Sequence, residues 1–580
     1  MAIISTTRLI VPILLSCLIV PAAFAESGRA DYDLDDDGLI EINSLADLDE
    51  IRNNLDGTSL YGESTGCPEA GCNGFELTTT LDFDTNADGK MDENDAYWNG
   101  GEGWAPIGDF HNTFISIFDG GHNEIRNLYI NRPGAEYIGL FACTGDDYSD
   151  VTSIIRNLGL TGDLAMVSGG QNEFLSYVGG FVGFAQMGTS ISSCYNTIDV
   201  IAKATGHGTG QGSGGGIVGQ GTMISIVDSY NLGNVSGAIV GGLVGDLSDA
   251  NIENSFSVAV ITGSSSPGGI VGTSQFATFS NVFSTGSVDS ENTAGGLSAS
   301  NAFSWSIANH VFSASSVNGG EGYKVGGLVG ALYDKATIIN SHWATDTSGQ
   351  LTSDGESDSD EINYFGATLA ELQCPTSSDD TECLMNYTLY PTWDSTIWDF
   401  GTSSELPGLI IDGVVYRDGD GNGALDTNHA PEVTFVLTQN GNEVSDITIG
   451  DGDVTLEAVI TDQDASDHHT LSWTYEDVTV ISETDTSVTF SSDNLIVGDY
   501  TVSAVVTDNR FPIMSGNAEI TFSVEAAPIE PEVVEPNPSP EVTPSSKSSG
   551  GGSMNLYWLI LISGLLLVGR RSVYCGIIKI

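Results

Sequence analysis

A short string returns six times along this chain and leaves little freedom for its fold. It reads Val-Gly-Gly-Phe-Val-Gly at 178–183, Gly-Gly-Ile-Val-Gly at 215–219, Val-Gly-Gly-Leu-Val-Gly at 240–245, Gly-Gly-Ile-Val-Gly at 268–272, Gly-Gly-Leu-Ser at 295–298 and Val-Gly-Gly-Leu-Val-Gly at 325–330. Measured on the second glycine (Gly180, Gly216, Gly242, Gly269, Gly296, Gly327), the steps are 36, 26, 27, 27 and 31 residues, the period of a stacked-repeat protein. A second phrase follows each copy: Cys-Tyr-Asn at 194–196, Ser-Tyr-Asn at 229–231, Ser-Phe-Ser at 255–257, Val-Phe-Ser at 282–284, Val-Phe-Ser at 311–313 and Ser-His-Trp at 341–343. Two β-rich runs per unit, bounded by Gly, Ser and Asn and without helical period, leave no room for a helix. Leucine-rich, ankyrin and tetratricopeptide solenoids are thereby excluded.

What remains is a parallel β-solenoid whose coils lie on one another at the ~4.8 Å spacing of neighbouring strands. The paired glycines are expected at a coil corner, often with φ > 0, where stacking leaves no space for a Cβ. The next residue is always large and apolar (Phe181, Ile217, Leu243, Ile270, Leu297, Leu328) and is expected inside the coil. The one after it tolerates Ser298 and is expected nearer the surface.

The chain has 580 residues, too many for one core, so several domains are expected. Sixteen Lys plus Arg against 78 Asp plus Glu give a formal charge of -62. Such a surface repels nucleic acid and anionic polysaccharide, and suits a salty exterior and calcium better.

The beginning reads as a secretory signal peptide over 1–25, with Arg8, an apolar run from Leu9 to Val20, and Ala23-Phe24-Ala25 before Glu26. Export makes cysteines disulfide candidates. Cys67 with Cys72 and Cys374 with Cys383 are close pairs on loop-like sequence. Cys143 and Cys194 lie in apolar coil segments and fit buried free thiols equally well. The role of Cys575 is open. Residues 26–113 form an expected N-terminal cap, in which Leu45–Leu55 has helical spacing behind Ser44 as N-cap. A helix there would cover the open first coil.

Three stretches alternate oxygen ligands before a glycine, the pattern that lets a tight loop wrap a hard cation such as calcium. They are Asp33, Asp35, Asp37 before Gly38; Asp84, Asn86, Asp88 before Gly89, continuing to Asp92 and Asp95; and Asp418, Asp420, Asn422 before Gly423, continuing to Asp426. The second is the most complete, with carboxylates at the ninth and twelfth positions. The others have Ser44 and His429 at the twelfth.

Residues 98–108 and 118–130 read as the first coil, followed by repeats over 114–345. With its Gly-Gly-Leu-Val-Gly string and Asn-Ser-Tyr-type phrase, the stretch from about Asp31 to Leu425 resembles the secreted bacterial proteins carrying the GLUG motif. The resemblance implies a right-handed parallel β-helix and exposure at the surface. After Trp343 the repeat stops, and 346–427 reads as a closing cap, with a polar acidic loop and Tyr390, Trp393, Trp398 and Phe400. Residues 428–527 change to period-two alternation between turn residues, the pattern of a β-sandwich similar to the Ig-like, PKD or cadherin-like modules of bacterial surface proteins. There Asp462, Asp464 and Asp467 fit solvated turn acids better than a calcium set, because their spacing makes no full loop.

A Pro/Glu/Ser linker over 528–549 leads to 550–571: three glycines, an apolar run from Met554 to Val568, and Arg570-Arg571. This resembles the GlyGly-CTERM sorting signal, which implies a short transmembrane helix, processing by a rhomboid-type protease and delivery to the cell surface or medium. The tail 572–580 departs from that pattern, and the basic pair also fits a simple inner-membrane anchor.

No catalytic set stands out: the chain has no H-E-x-x-H, no G-x-S-x-G and no Cys/His set. His342 falls in the slot that other coils fill with Tyr or Phe and reads as a packed aromatic. A lyase acting on acidic sugars wants bases, and the coils offer few: Arg126, Arg132, Arg156, Lys203, Lys324 and Lys335. The expectation is a non-catalytic, calcium-stabilised binding protein of adhesin type, secreted or held at the cell surface, whose partner is a surface glycan or protein and not nucleic acid. The alternative is a secreted glycosidase or polysaccharide lyase on a β-helix, which would need a concave aromatic-lined cleft with two carboxylates ~5 to 10 Å apart.

Overall fold

The computed structural model describes residues 29–146, 152–170, 175–203, 212–299, 303–333, 335–356, 362–373, 389–476 and 478–528. The signal peptide, the Cys374–Cys383 pair, Cys575, the linker beyond Pro528, the sorting segment and the tail lie outside the described residues. Among those described, no helix is long and apolar enough to cross a membrane.

The chain is all-β, and its long first part is a stack of parallel strands. One inward row can be followed rung by rung: Ile40, Phe75, Phe118, Ile155, Ile191, Ile226, Ile252, Phe279, Ala308 and Ile338, each the register partner of the next. All ten are fully buried in one continuous core. A second parallel sheet, from Phe141–Thr144 through Val182–Ala185 and Val218–Thr222 to Leu332–Tyr333, closes the coil on another side.

The paired glycines stand where these sheets meet, but not with left-handed backbone: none of the six second glycines has a positive φ. Their necessity is close approach. A Cβ on Gly180 would stand 2.4 Å from the Gly216 carbonyl oxygen of the next coil, and one on Gly242 2.2 Å from that of Gly269. The left-handed corners fall elsewhere, in two columns of mostly non-glycine residues. One precedes the second phrase: Ser193, Asp228, Asn254, Asn281, His310 and Asn340. The other is Gly188, Met223, Asp249, Phe276, Trp305 and Lys335.

The residue after each glycine pair is buried as expected, and the one after that is buried too: Val182, Val218, Val244, Val271, Ser298 and Val329 are all at most 1% exposed. The chain bends between the two positions, so both sides of the bend face the interior.

The N-terminal segment is more than a cap. Strands Ile40–Ile42 and Gly74–Leu77 are the first two rungs of the stack, so the coil begins well before residue 114. Ser44 caps an α-helix over Leu45–Glu50, accepting from the Asp47 N–H at 3.2 Å, and a 3₁₀ turn continues to Asn53. Leu48 and Ile51 pack into the coil core. At the other end the stack gains a strand beyond the last repeat: Ile362–Ala367 pairs in parallel with Thr337–Ala344, placing Phe365 beside His342.

The Tyr and Phe of the second phrase form a row on the outer flank, not in the lumen. Tyr195, Tyr230, Phe256, Phe283 and Phe312 stack with ring centroids 4.7–5.2 Å apart, the strand spacing itself. The segment read as a closing cap runs back along this row and buries it in a second core with Trp393, Trp398, Leu406 and Ile411. Trp393 meets His342 in the last repeat, Trp398 meets Phe283 and Phe312, and Tyr416 reaches Tyr230. It is a lateral cover rather than an end plug. A row of aromatic rings at strand spacing is too large an apolar surface to leave in water.

Residues 432–525 form two further sheets with a shared core of Leu437, Leu456, Phe490, Val502 and Phe522. This module is fastened to the lateral cover: Val415 donates to the Asn509 carbonyl at 2.6 Å and Phe511 donates to that of Val415 at 3.0 Å.

Candidate functional site

The three acidic loops differ in what the fold does with them. In the first, both Asp33 oxygens are taken by backbone donors, Asp37 N–H at 3.0 Å and Gly38 N–H at 2.9 Å, and Asp36 and Gly38 take left-handed φ to close the turn. The Cys67–Cys72 disulfide is formed as expected and anchors the loop, with Cys72 Sγ 3.6 Å from Asp33 Oδ2. One carboxylate oxygen from each of Asp33, Asp35 and Asp37 lies within 4.8 Å of the others, and the same holds for Asp35, Glu41 and Glu76. Burial foremost, and then Asp37, Asp35, Glu41 and Asp119 around it, raises the Glu76 carboxyl to about 7. Sequence spacing missed Glu41 and Glu76, since Glu76 reaches the loop only through parallel pairing with Glu41.

In the third loop the acids also converge, with oxygens of Asp418, Asp420 and Asp426 within 4.8 Å. Asn422 lies between them, its N–H bonded to both Asp418 and Asp420. Asp418 is buried, and that burial raises it to about 6. A cation has a competitor here, for Arg510 already pairs with Asp426 at 3.2 Å.

The second loop, the most complete in sequence, does not gather its acids in this way among the described residues. Its side-chain oxygens accept from the backbone as those of the other two loops do. Asp84 accepts from Asp88 and Gly89, Asn86 accepts from Asp88, Asp92 accepts from Asn94, and Asp95 bridges the N–H groups of Thr85 and Asp92. Three carboxylates meet in the first and third loops, whereas the second carries Asn86 at the corresponding third position.

The acids of the sandwich turn are not solvated. Asp462 pairs with His469 at 2.8 Å and Asp467 with Arg510 at 2.7 Å, both side chains 3% exposed, and Asp464 pairs with His429 at 3.1 Å. Arg510 also reaches Glu405 at 3.0 Å, so this cluster ties the module to the lateral cover. Cys143 and Cys194 are buried free thiols, and burial pushes Cys194 up to about 12, which removes it from nucleophilic chemistry.

His342 is a packed aromatic as read, in register with Phe312 and Phe365. Four of the six bases a polyanion lyase would use are engaged: Arg126 with Glu124, Arg132 with Glu102, Arg156 with Asp119, and Lys324 with Glu356. An open groove of about 1000 Å³ lies beside Arg52, Asp56, Asp109, Phe110, His111 and Asp146. Although burial would raise it, Asp109 is held below the usual carboxylate range by Asn112 and the N–H of His111, so it does not suit a general acid.

The left-handed corner column carries large exposed side chains. Met223, Phe276 and Trp305 are each 47% exposed, Phe276 stacks on Trp305 at 6.1 Å, and Lys335 lies over the Trp305 ring at 4.9 Å. Bulky residues with positive φ are uncommon.

Residues 175–201 match the family model described as "The GLUG motif". The chain carries that motif. A protein of Evansella cellulosilytica described as "Putative Gly-rich membrane protein" is 34% identical over 128 residues, covering 22% of this chain and 12% of that protein. Halomucin of Haloquadratum walsbyi is 30% identical over 179 residues, covering 27% of this chain and 2% of that protein. The GLUG-bearing chain thus matches only a small part of these much longer relatives. An IgA1 protease structure aligns over 52% of this chain and 21% of its own, at 16% identity and a TM-score of 0.31.

Proposed function

We propose that this is an exported, non-catalytic binding protein of adhesin type, displayed at the cell surface or released, and stiffened by calcium in its acidic loops. The solenoid, read as a right-handed β-helix, is the rigid display element, and the Ig-like module clamps its flank. Relatives named as a membrane protein and a halomucin support the surface placement.

The observation that carries the binding role is the ridge of Met223, Phe276 and Trp305 with Lys335. Large apolar groups held in water on rigid, unfavourable corners serve packing poorly and contact well. Aromatic faces and polar rims of this kind recognise sugar rings or apolar protein patches.

The test is a glycan-array and cell-binding screen of the full chain against the F276A/W305A double variant. Binding that the variant loses by tenfold or more supports the reading. Cleavage of any neutral polysaccharide in the panel would move the protein to the enzyme alternative. For calcium, EDTA is expected to lower the melting temperature, and an unchanged value removes that part.

A further inference from the structure

The first acidic loop leads straight into strand Ile40–Ile42, whose alternation sends Ile40 and Ile42 into the coil and Glu41 outward. The loop then folds over Glu41, so that a carboxylate on the outer face of a strand is only 3% exposed. The Leu34 N–H takes Oε1. Oε2 is buried with no hydrogen-bond partner among the described residues. Arg29 lies close enough to act on it by charge, but its guanidinium forms its ion pair with Asp47 at 2.6 Å and donates to the Glu41 carbonyl, not the carboxylate, at 2.7 Å.

Beside Glu41 in parallel register stands Glu76 of the second coil, and beside that Asp119 of the third. Asp119 has its own base in Arg156. Among the described residues neither Glu41 nor Glu76 has an ion-pair partner. Like charges in direct cross-strand register repel, and a buried carboxylate oxygen without a donor or counter-charge is expensive. Both costs vanish if a cation lies between these groups and Asp35.

We propose that Glu41 and Glu76 join Asp33, Asp35 and Asp37 around one calcium-class divalent cation, Glu76 supplying from the second coil the carboxylate that Ser44 denies the loop's twelfth position. This rests on the calcium reading of the acidic loops and deepens it. In the loop numbering Glu41 is the ninth residue and Leu39, whose carbonyl is the usual backbone ligand, the seventh. Six to eight oxygens at 2.3–2.6 Å are the habit of calcium, and a set of protein carboxylate and carbonyl oxygens with few waters suits it better than magnesium. The ion would staple the loop, the disulfide Cys67–Cys72 and the first two rungs of the stack into one body, closing the exposed end of the solenoid by charge as the helix Leu45–Glu50 closes it by apolar contact.

The full chain, stripped with EDTA and dialysed, is titrated with calcium chloride by calorimetry and by thermal shift, as wild type, E76Q and D420N. E76Q is expected to weaken the tightest site at least tenfold and to remove most of the calcium-induced rise in melting temperature, while D420N, in the third loop, leaves that site unchanged. Calcium binding by wild type with E76Q matching it would overturn the role of Glu76 and leave the calcium reading standing. No binding by wild type would end both. Should E76Q fail to fold, E76D keeps the charge but withdraws the oxygens by one methylene, and the same tenfold criterion applies.

Discussion

The rings of Phe256 and Phe283 lie 4.7 Å apart with only 3° between their planes, one coil above the other. That contact repeats along the row and gives the lateral cover its seat, so the flank core depends on each ring in turn. Phe283→Ala is expected to cost about 3–5 kcal/mol and to loosen the cover near Trp398, which packs on Phe283 and Phe312. Because coils contact only their neighbours, the loss should be local. Limited proteolysis is expected to cut residues 389–416 first, with hydrogen exchange at the distant N-terminal rungs unchanged. Uniform loosening of all rungs would contradict a separate flank core.

Two glycine variants separate close approach from backbone strain. At Gly242 φ is ordinary, but a Cβ meets the Gly269 carbonyl oxygen and Ser257 Oγ, each at 2.2 Å. Both belong to the rigid stack, so Gly242→Ala is expected to cost more than about 4 kcal/mol or to abolish folding. At Gly441 nothing lies within 4 Å, but φ is +77°, and Gly441→Ala is expected to cost only about 1–2 kcal/mol. Urea unfolding of the two variants checks the order, and similar losses would mean the ladder glycines are not held by stacking.

These residues also show what was legible in the sequence. The period of the Gly-Gly string announced the stack, because a repeated steric demand must repeat in the letters. The burial of Phe181 and its equivalents followed from their constant size. The burial of Val182 did not, since one Ser298 in the series suggests tolerance where the structure has a bend with two inward sides. The outward face of the Tyr and Phe row was hidden for a different reason. A residue buried in the lumen and one buried under a distant segment leave the same apolar letter, and Trp398 meets Asn281 only across 117 residues. In the acidic loops, too, register adds what spacing leaves out: Glu76 joins the first loop only through its parallel pairing with Glu41.

Arg510 is the joint between the two-sheet module and the cover. Its guanidinium, 4% exposed, meets Asp467 at 2.7 Å, Glu405 at 3.0 Å and Asp426 at 3.2 Å. Arg510→Met leaves the buried Asp467 without its counter-charge, Glu405 keeping Arg417 at 3.0 Å, which is expected to cost about 3–5 kcal/mol. The loss falls on the joint, so calorimetry should show a single unfolding transition splitting in two. The acid limb has a defined sign. Burial would raise Glu405, but Arg417 and Arg510 with the Thr402 N–H bring it down to about 2. A carboxylate depressed in the folded state contributes stability that is complete above its unfolded value of 4.5 and is lost as pH falls toward 2. Glu405→Gln should flatten that part of the stability curve.

His342 gives the opposite residue type with the same direction of pH dependence. Burial, chiefly, lowers it from 6.5 to about 4, and its Nε2 lies 2.5 Å from the Leu389 carbonyl. The folded state therefore holds a neutral ring where the unfolded chain, below pH 6.5, binds a proton. Stability from this site is complete above pH 6.5 and falls as pH drops toward 4, by about 3 kcal/mol across that window. Phe312 and Phe365 occupy the same row above and below, so His342→Phe keeps the packing and removes the titration. At pH 7 the variant is expected to be less stable by about 1–3 kcal/mol, having left the Leu389 carbonyl unpaired. Near pH 4 that deficit should vanish or reverse. Urea midpoints of the two proteins measured from pH 7 to pH 4 decide it: curves that stay parallel would show that folding leaves the His342 pKa unshifted.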